Sequence, residues 1–198
     1  MTRAPSLPTR LWLCLLPALL AGCDDDEPPP ATPSEASASP REDAPEFRTV
    51  AGGVSWTAEE PLVAQRPANE MRDAQYAVRD HPEAVLTVAH FPPQVGGGGG
   101  VQENLDRWTG QFREASEPAV ARREVNDLPV TTIRLAGTFV GRRGMAAGRP
   151  TPRPGYVLHG AIVEGEQGLV FFKLLGPEEA VGLAEDAFER LVASIHPV

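Results

Sequence analysis

The stretch "GYVLHGAIVEGEQGLVFFKLL", Gly155 to Leu175, decides the fold. Its halves "GYVLHGAIVE" (Gly155–Glu164) and "LVFFKLL" (Leu169–Leu175) are rich in β-branched and aromatic residues and flank "GEQG", so they read as two strands joined by a tight turn. So short a connection forces antiparallel neighbours. Side chains alternate along a strand, so Val170, Phe172 and Leu174 point one way and Leu169, Phe171 and Leu175 the other. A strand apolar on both faces needs cover on both, which predicts a sheet with helices on each side. Lys173 interrupts the second face; its stem is expected to lie over apolar surface while the ammonium reaches an acid or solvent.

Working outward, period-2 runs predict further strands at Gly53–Thr57, Met71–Val78, Glu83–Phe91, Ala119–Val125 and Pro129–Phe139, with "RDHP" and "NDL" as turns. Two segments carry helical spacing instead. Val101, Leu105, Trp108 and Phe112 form one stripe, and Val181, Ala184, Phe188, Leu191 and Ile195 another. The second helix is introduced by "GPEE", read as Gly176 at the cap, Pro177 at the first helical position and two glutamates at the positive end of the dipole.

One helix after the third strand and another closing the chain, around an antiparallel sheet, resembles the PsbP-like α/β/α sandwich, the fold of an extrinsic photosystem II protein and a small Ran-binding import factor. "GGVSW" (Gly52–Trp56), "NLDRWTGQF" (Asn104–Phe112), "VNDLPVTT" (Val125–Thr132), "PGYVLHGAIVEG" (Pro154–Gly165) and "FFKLLGPEEAV" (Phe171–Val181) are similar to segments of bacterial proteins of that type, many of them lipoproteins. The resemblance implies an α+β domain, an α/β/α sandwich whose central, mostly antiparallel sheet has about six or seven strands, over residues 47–198. It supplies no catalytic residue, because the superfamily is functionally diverse.

Ahead of that domain lie two segments of different character. Residues 1–22 read as a secretory signal, with Arg3 and Arg10 before the short apolar run "LWLCLLPALL". The following "LAGC" resembles the lipobox of bacterial lipoproteins, with Leu20, Ala21 and Gly22 as the signal-peptidase motif and Cys23 as the lipidated N-terminus of the mature chain. The alternative is a plain secretory signal cleaved near Ala21. Cys14 is the other of the two cysteines and falls in the discarded segment, so the mature chain is expected to hold neither disulfide nor free thiol. Residues 23–46 carry a charge of −7 and no large apolar side chain, which predicts a disordered acidic tether rich in Pro, Ala and Ser.

Net charge is −9, and seventeen arginines accompany the single Lys173. With no basic stripe interleaved with aromatics, nucleic acid is not an expected partner. The five glycines Gly96–Gly100 precede Val101, Gln102 and Glu103, without the Lys and Ser/Thr of a phosphate loop, and read as a surface crossover. His90 and His159 fall in strands and could meet across the sheet, yet no further ligand spacing accompanies them, so neither metal nor cofactor is expected. No nucleophile elbow or paired acid constellation is visible, so catalysis is not expected.

Two groups remain as binding candidates. Asn104, Arg107 and Gln111 make a polar stripe beside the buried face of the first helix, bonding to loops or lining a groove. The loop Val140–Gly155 carries Arg142, Arg143, Arg149 and Arg153 without an acid and could meet lipid headgroups, acidic glycans or an acidic partner. The expectation is a bacterial cell-envelope protein, lipid-anchored to the inner or outer membrane and facing the periplasm, whose domain is a non-catalytic binding or assembly module for an envelope protein or anionic ligand. The alternatives are a metal-dependent ligand binder or enzyme, using a cleft near the glycine crossover and the arginine loop with His90 or His159, and a purely structural spacer.

Overall fold

The Gly155–Leu175 segment forms the central hairpin of a large antiparallel sheet. The computed structural model describes residues 49–95, 98–141 and 151–198. All belong to the unit Asp43–Val198; the signal segment, the tether, Leu20, Ala21, Gly22 and Cys23 lie outside the described residues. In chain order the elements are β1 (Val50–Ala51), β2 (Val54–Ser55), β3 (Leu62–Gln65), β4 (Ala74–Val78), β5 (His81–Phe91), α1 (Val101–Thr109), β6 (Phe112–Arg113) and β7 (Ala119–Val125). They continue with β8 (Leu128–Phe139), β9 (Arg153–Gly165), β10 (Gly168–Pro177), α2 (Glu178–Leu183), α3 (Glu185–Ala193) and β11 (His196–Pro197).

The main sheet runs β3-β4-β5-β10-β9-β8, with β6 and β7 both paired to the outer edge of β8. Its eight strands exceed the six or seven expected, and β1, β2 and β11 make a separate three-stranded sheet. β2 falls within the predicted Gly53–Thr57, whereas β1, β6 and β11, of two residues each, and β3, of four, are too short for an alternation to be read. Elsewhere local chemistry set the connections: Asn126 and Asp127 both take positive φ (47° and 66°), the geometry of the tight hairpin joining β7 to β8.

The two faces of β10 are covered as its alternation required. On one, Phe172 and Leu174 are fully buried with Leu86 and Val88 of β5 beneath Val181, Phe188 and Leu191 of α2 and α3. Trp56 closes this core edge-on to Phe172, ring centroids 5.2 Å apart, and donates its indole N–H to the Tyr76 hydroxyl at 2.9 Å. On the other face Phe171, Leu158, Ile162 and Ile133 lie beneath Leu105 and Trp108 of α1. Each large side chain buried in this way contributes about 1.5–3 kcal/mol relative to exposure.

Three local expectations need correction. The second helix is two, broken at Ala184 (φ −100°, ψ 0°), but one intervening residue keeps Val181, Phe188 and Leu191 on a shared face. Its start is also shifted: β10 continues through Pro177, which precedes the helix with ψ 146°, and Gly176 is a strand residue whose bare backbone lies against Ala84. Phe112 belongs to β6, since Gly110 ends α1, although its side chain remains in the same core.

Candidate functional site

Lys173 lies on the α1 side of β10, one alternation beyond the buried Phe171. Its neighbours across the sheet are Thr87 of β5 and Gly160 of β9. Nine residues of helix at about 1.5 Å per residue span only ~13 Å, so α1 covers part of this face. Lys173 stands where that cover ends.

A groove of about 370 Å³ opens there, within the size range of small-molecule sites. Val85, Thr87 and Leu175 contribute from β5 and β10, with Gln75 from β4. Gln111, Phe139, Tyr156 and Arg153 contribute from the α1 side and the β8–β9 end, and Arg72 and Glu83 from the opposite rim. Gln111 is buried and its Oε1 accepts from the Lys173 ammonium at 2.5 Å. That ammonium also lies 5.9 Å from the Trp108 ring centroid and 5.8 Å from that of Phe139. The Arg153 guanidinium sits over Phe139 and Tyr156, 5.8 and 5.5 Å from their centroids, while those rings stack at 6.2 Å. Arg72 donates to Gln75 Oε1 at 2.5 Å.

The structure thus divides the polar stripe of α1. Asn104 and Arg107 turn to the glycine crossover: Asn104 Nδ2 donates to the Gly98 and Gly100 carbonyls at 2.9 Å, and Arg107 to Gly98 at 3.3 Å and to Asn104 Oδ1 at 2.8 Å. Glu103 pairs with Arg107 at 3.1 Å. Gln111, beyond the end of α1 at Thr109, instead joins the groove, where it meets Lys173. Arg142, Arg143 and Arg149 lie outside the described residues, as do Gly96 and Gly97. Arg72 was not singled out from sequence, because nothing in its local pattern reveals which strand end it reaches. For Lys173 the signal was its place in an otherwise apolar alternation.

The histidines do not meet. His90 and His159 share a face, but they pair with Val170 and Leu174, four residues apart on β10, which is about 13 Å of strand. His90 Nε2 is bonded to the Gln167 carbonyl at 2.8 Å. His159 is buried against Phe188, with ring centroids 4.4 Å apart and Nε2 at 3.2 Å from Glu189 Oε1. Burial lowers its pKa below the ordinary value, outweighing the pull of Glu189 and Glu185 toward the charged form. The geometry explains the balance: a neutral ring protonated on Nε2 serves Glu189, whereas an imidazolium would add a proton to the buried Nδ1, which has no hydrogen-bond partner. Among the described residues no group of three His, Cys, Asp or Glu side chains is placed to hold a metal ion, and no helix is long and apolar enough to cross a membrane.

A second cavity, of about 590 Å³, lies between the end of β7 and α3. Its charges are matched locally: Arg123 meets Glu189 at 2.7 Å, and Arg190 meets Glu59 at 3.1 Å. The lining of the groove at Lys173 includes Arg72, Arg153 and Lys173 together with one acid, Glu83.

No family model and no curated protein matches this chain. Among solved structures it is similar to the solution structure of cyanobacterial PsbP (CyanoP) from Synechocystis sp. PCC 6803, at 11% sequence identity and a TM-score of 0.47, over 74% of this chain and 88% of that one.

Proposed function

We propose that this chain is a lipid-anchored protein of the bacterial cell envelope, PsbP-like in its folded part, that acts as a non-catalytic binding or assembly module through the groove at the end of α1. The observation that carries the reading is the groove itself: α1 stops short, and a row of the sheet that would otherwise be core is left accessible around Lys173. The "LAGC" motif behind an apolar run supports lipidation of Cys23, and the acidic segment after it suits a spacer holding the domain off the bilayer on the periplasmic side. Two or more acyl chains, palmitate among them, give stable anchoring at roughly 0.8 kcal/mol per buried CH₂.

Expression of the full chain in a bacterial host, followed by fractionation and mass spectrometry of the N-terminal peptide, tests the anchor. The expected product begins at Cys23 with a diacylglyceryl thioether, and Cys23→Ala shifts the protein out of the membrane fraction. An exported product with an unmodified thiol ends this reading. Robust turnover of hydrolase substrates by the purified protein would contradict the non-catalytic part.

A further inference from the structure

The main sheet ends in two edges of different kind. At one, β3 is four residues long, half-buried beyond Leu62, and bounded by Pro61 and Pro67, which have no N–H to give a further strand. At the other, β7 runs for seven residues without a proline, and all of them but Val125 are exposed. A long, open edge of this kind is a template for another strand.

Which groups of β7 face outward follows from its hairpin. Asn126 and Asp127 form the two-residue turn, so Val125 and Leu128 exchange hydrogen bonds, and Arg123, Ala121 and Ala119 do the same with their register partners on β8. The Ala121 carbonyl agrees with this, lying 3.5 Å from the Thr132 hydroxyl. The backbone N–H and C=O of Val120, Arg122 and Glu124 therefore point away from β8. Two of these three residues carry opposite charges on one face of the strand. Arg122 is 67% exposed and gives one nitrogen to Glu164 at 2.7 Å, and among the described residues no ion pair engages Glu124.

From this pattern we infer that the β7 edge is a homodimer interface, in which two copies of this chain pair β7 antiparallel about Arg123 and join their main sheets into one. Charge selects the register. An axis at Arg122 sets that arginine opposite itself, and an axis at Glu124 does the same for the glutamate, so like charges meet. An axis at Arg123 sets Arg122 opposite Glu124 of the second copy and, by symmetry, Glu124 opposite its Arg122. These two pairs are the ones whose backbone groups are free to exchange hydrogen bonds, and Ala121 then stands against Val125. At the axis the two Arg123 side chains meet, but each brings its own Glu189 at 2.7 Å, so two cations and two acids share the centre. The interface uses no residue of the groove at Lys173 and is independent of the function proposed for it.

The test uses the full chain expressed in a bacterial host and oxidised in whichever fraction holds it, so that a failed anchor and a failed dimer are told apart. Arg123→Cys places two thiols on a non-hydrogen-bonded pair about 4.5 Å apart at Cα, within disulfide reach. Ala121→Cys leaves its two thiols four residues apart along the strands, about 13 Å. The first variant is expected to run as a dimer on a non-reducing gel, and the second to match the parent, which controls for Cys14 and Cys23. Analytical ultracentrifugation of the detergent-solubilised chain supplies a readout without new cysteines. Glu124→Arg should weaken the dimer about tenfold or more, since two cross-strand pairs turn repulsive, and the exchange Arg122→Glu with Glu124→Arg should return it to within about threefold of the parent. Circular dichroism establishes that each variant is folded, and the charge exchange keeps the test decisive where Arg123→Cys does not fold. A parent that sediments as a monomer at every concentration overturns the inference. Equal crosslinking of Ala121→Cys and Arg123→Cys overturns the register, and Arg123→Cys joined to a protein of another mass shows that a different chain takes the edge.

Discussion

The indole of Trp108 rests on the bare backbone of Gly160, at a distance where a methyl group on that residue would overlap its six-membered ring. This contact seats α1 on the sheet. Because Gly160 pairs with Lys173 across β9 and β10, it also fixes where the cover ends and the groove begins.

Gly160→Ala should therefore act as overpacking in a close-packed core, costing about 1–3 kcal/mol and tilting α1 away from the sheet. Urea denaturation measures the loss, and a second substitution, Trp108→Leu, should recover part of it in the double variant. Stability equal to that of the parent would show that the ring is free to move aside.

Buried His159 predicts a stability that depends on pH. Its folded pKa lies below the ordinary 6.5 because burial opposes the charged form. The unfolded chain therefore binds the proton more readily, and the stability contributed by the neutral ring is complete above about pH 6.5 and is lost as pH falls below it. Urea midpoints at pH 7.5 and 5.5 should show a drop for the parent and a smaller one for His159→Gln. The same drop in both proteins would assign the effect to other groups.

Asn126 holds a turn and a helix end together. It takes φ 47°, and its Nδ2 donates to the Ile195 carbonyl at 2.7 Å, just beyond α3. Asn126→Ala should lose both the tolerance for that backbone and the hydrogen bond, for about 1–3 kcal/mol. Asn126→Gly keeps the first and loses only the second, so it should fall between. If thermal unfolding places the glycine variant below the alanine variant, this division of the energy is wrong.

The Trp56 indole N–H and the Tyr76 hydroxyl, both buried, meet at 2.9 Å. Tyr76→Phe removes the acceptor while preserving the ring, so the unpaired N–H should cost about 1–3 kcal/mol. Chemical denaturation checks the value. A neutral result would mean that the indole finds another acceptor.

Much of the fold was legible in the chain. The alternation through Leu169–Leu175 required cover on both faces, and the spacing of Leu105 with Trp108 and of Phe188 with Leu191 supplied the helices that provide it. Such patterns are local: strand and helix periods follow from backbone geometry, and burial follows from the side chains themselves. The strand role of Gly176 and Pro177 was not legible, because it depends on what the neighbouring strands present rather than on flanking residues.

The candidate site was less legible still. Gln111 and Arg153 stood out in the sequence as polar or cationic positions, yet nothing local linked them to each other or to Lys173 and Arg72. They converge because β10 lies between β5 and β9, and because a glycine on β9 lets one tryptophan bring α1 down at that place. Sequence determined which faces must be buried, since that is a property of short-range periodicity and hydrophobicity. Tertiary structure alone decided which charges share a groove, since strand order and register set distances between residues far apart in the chain.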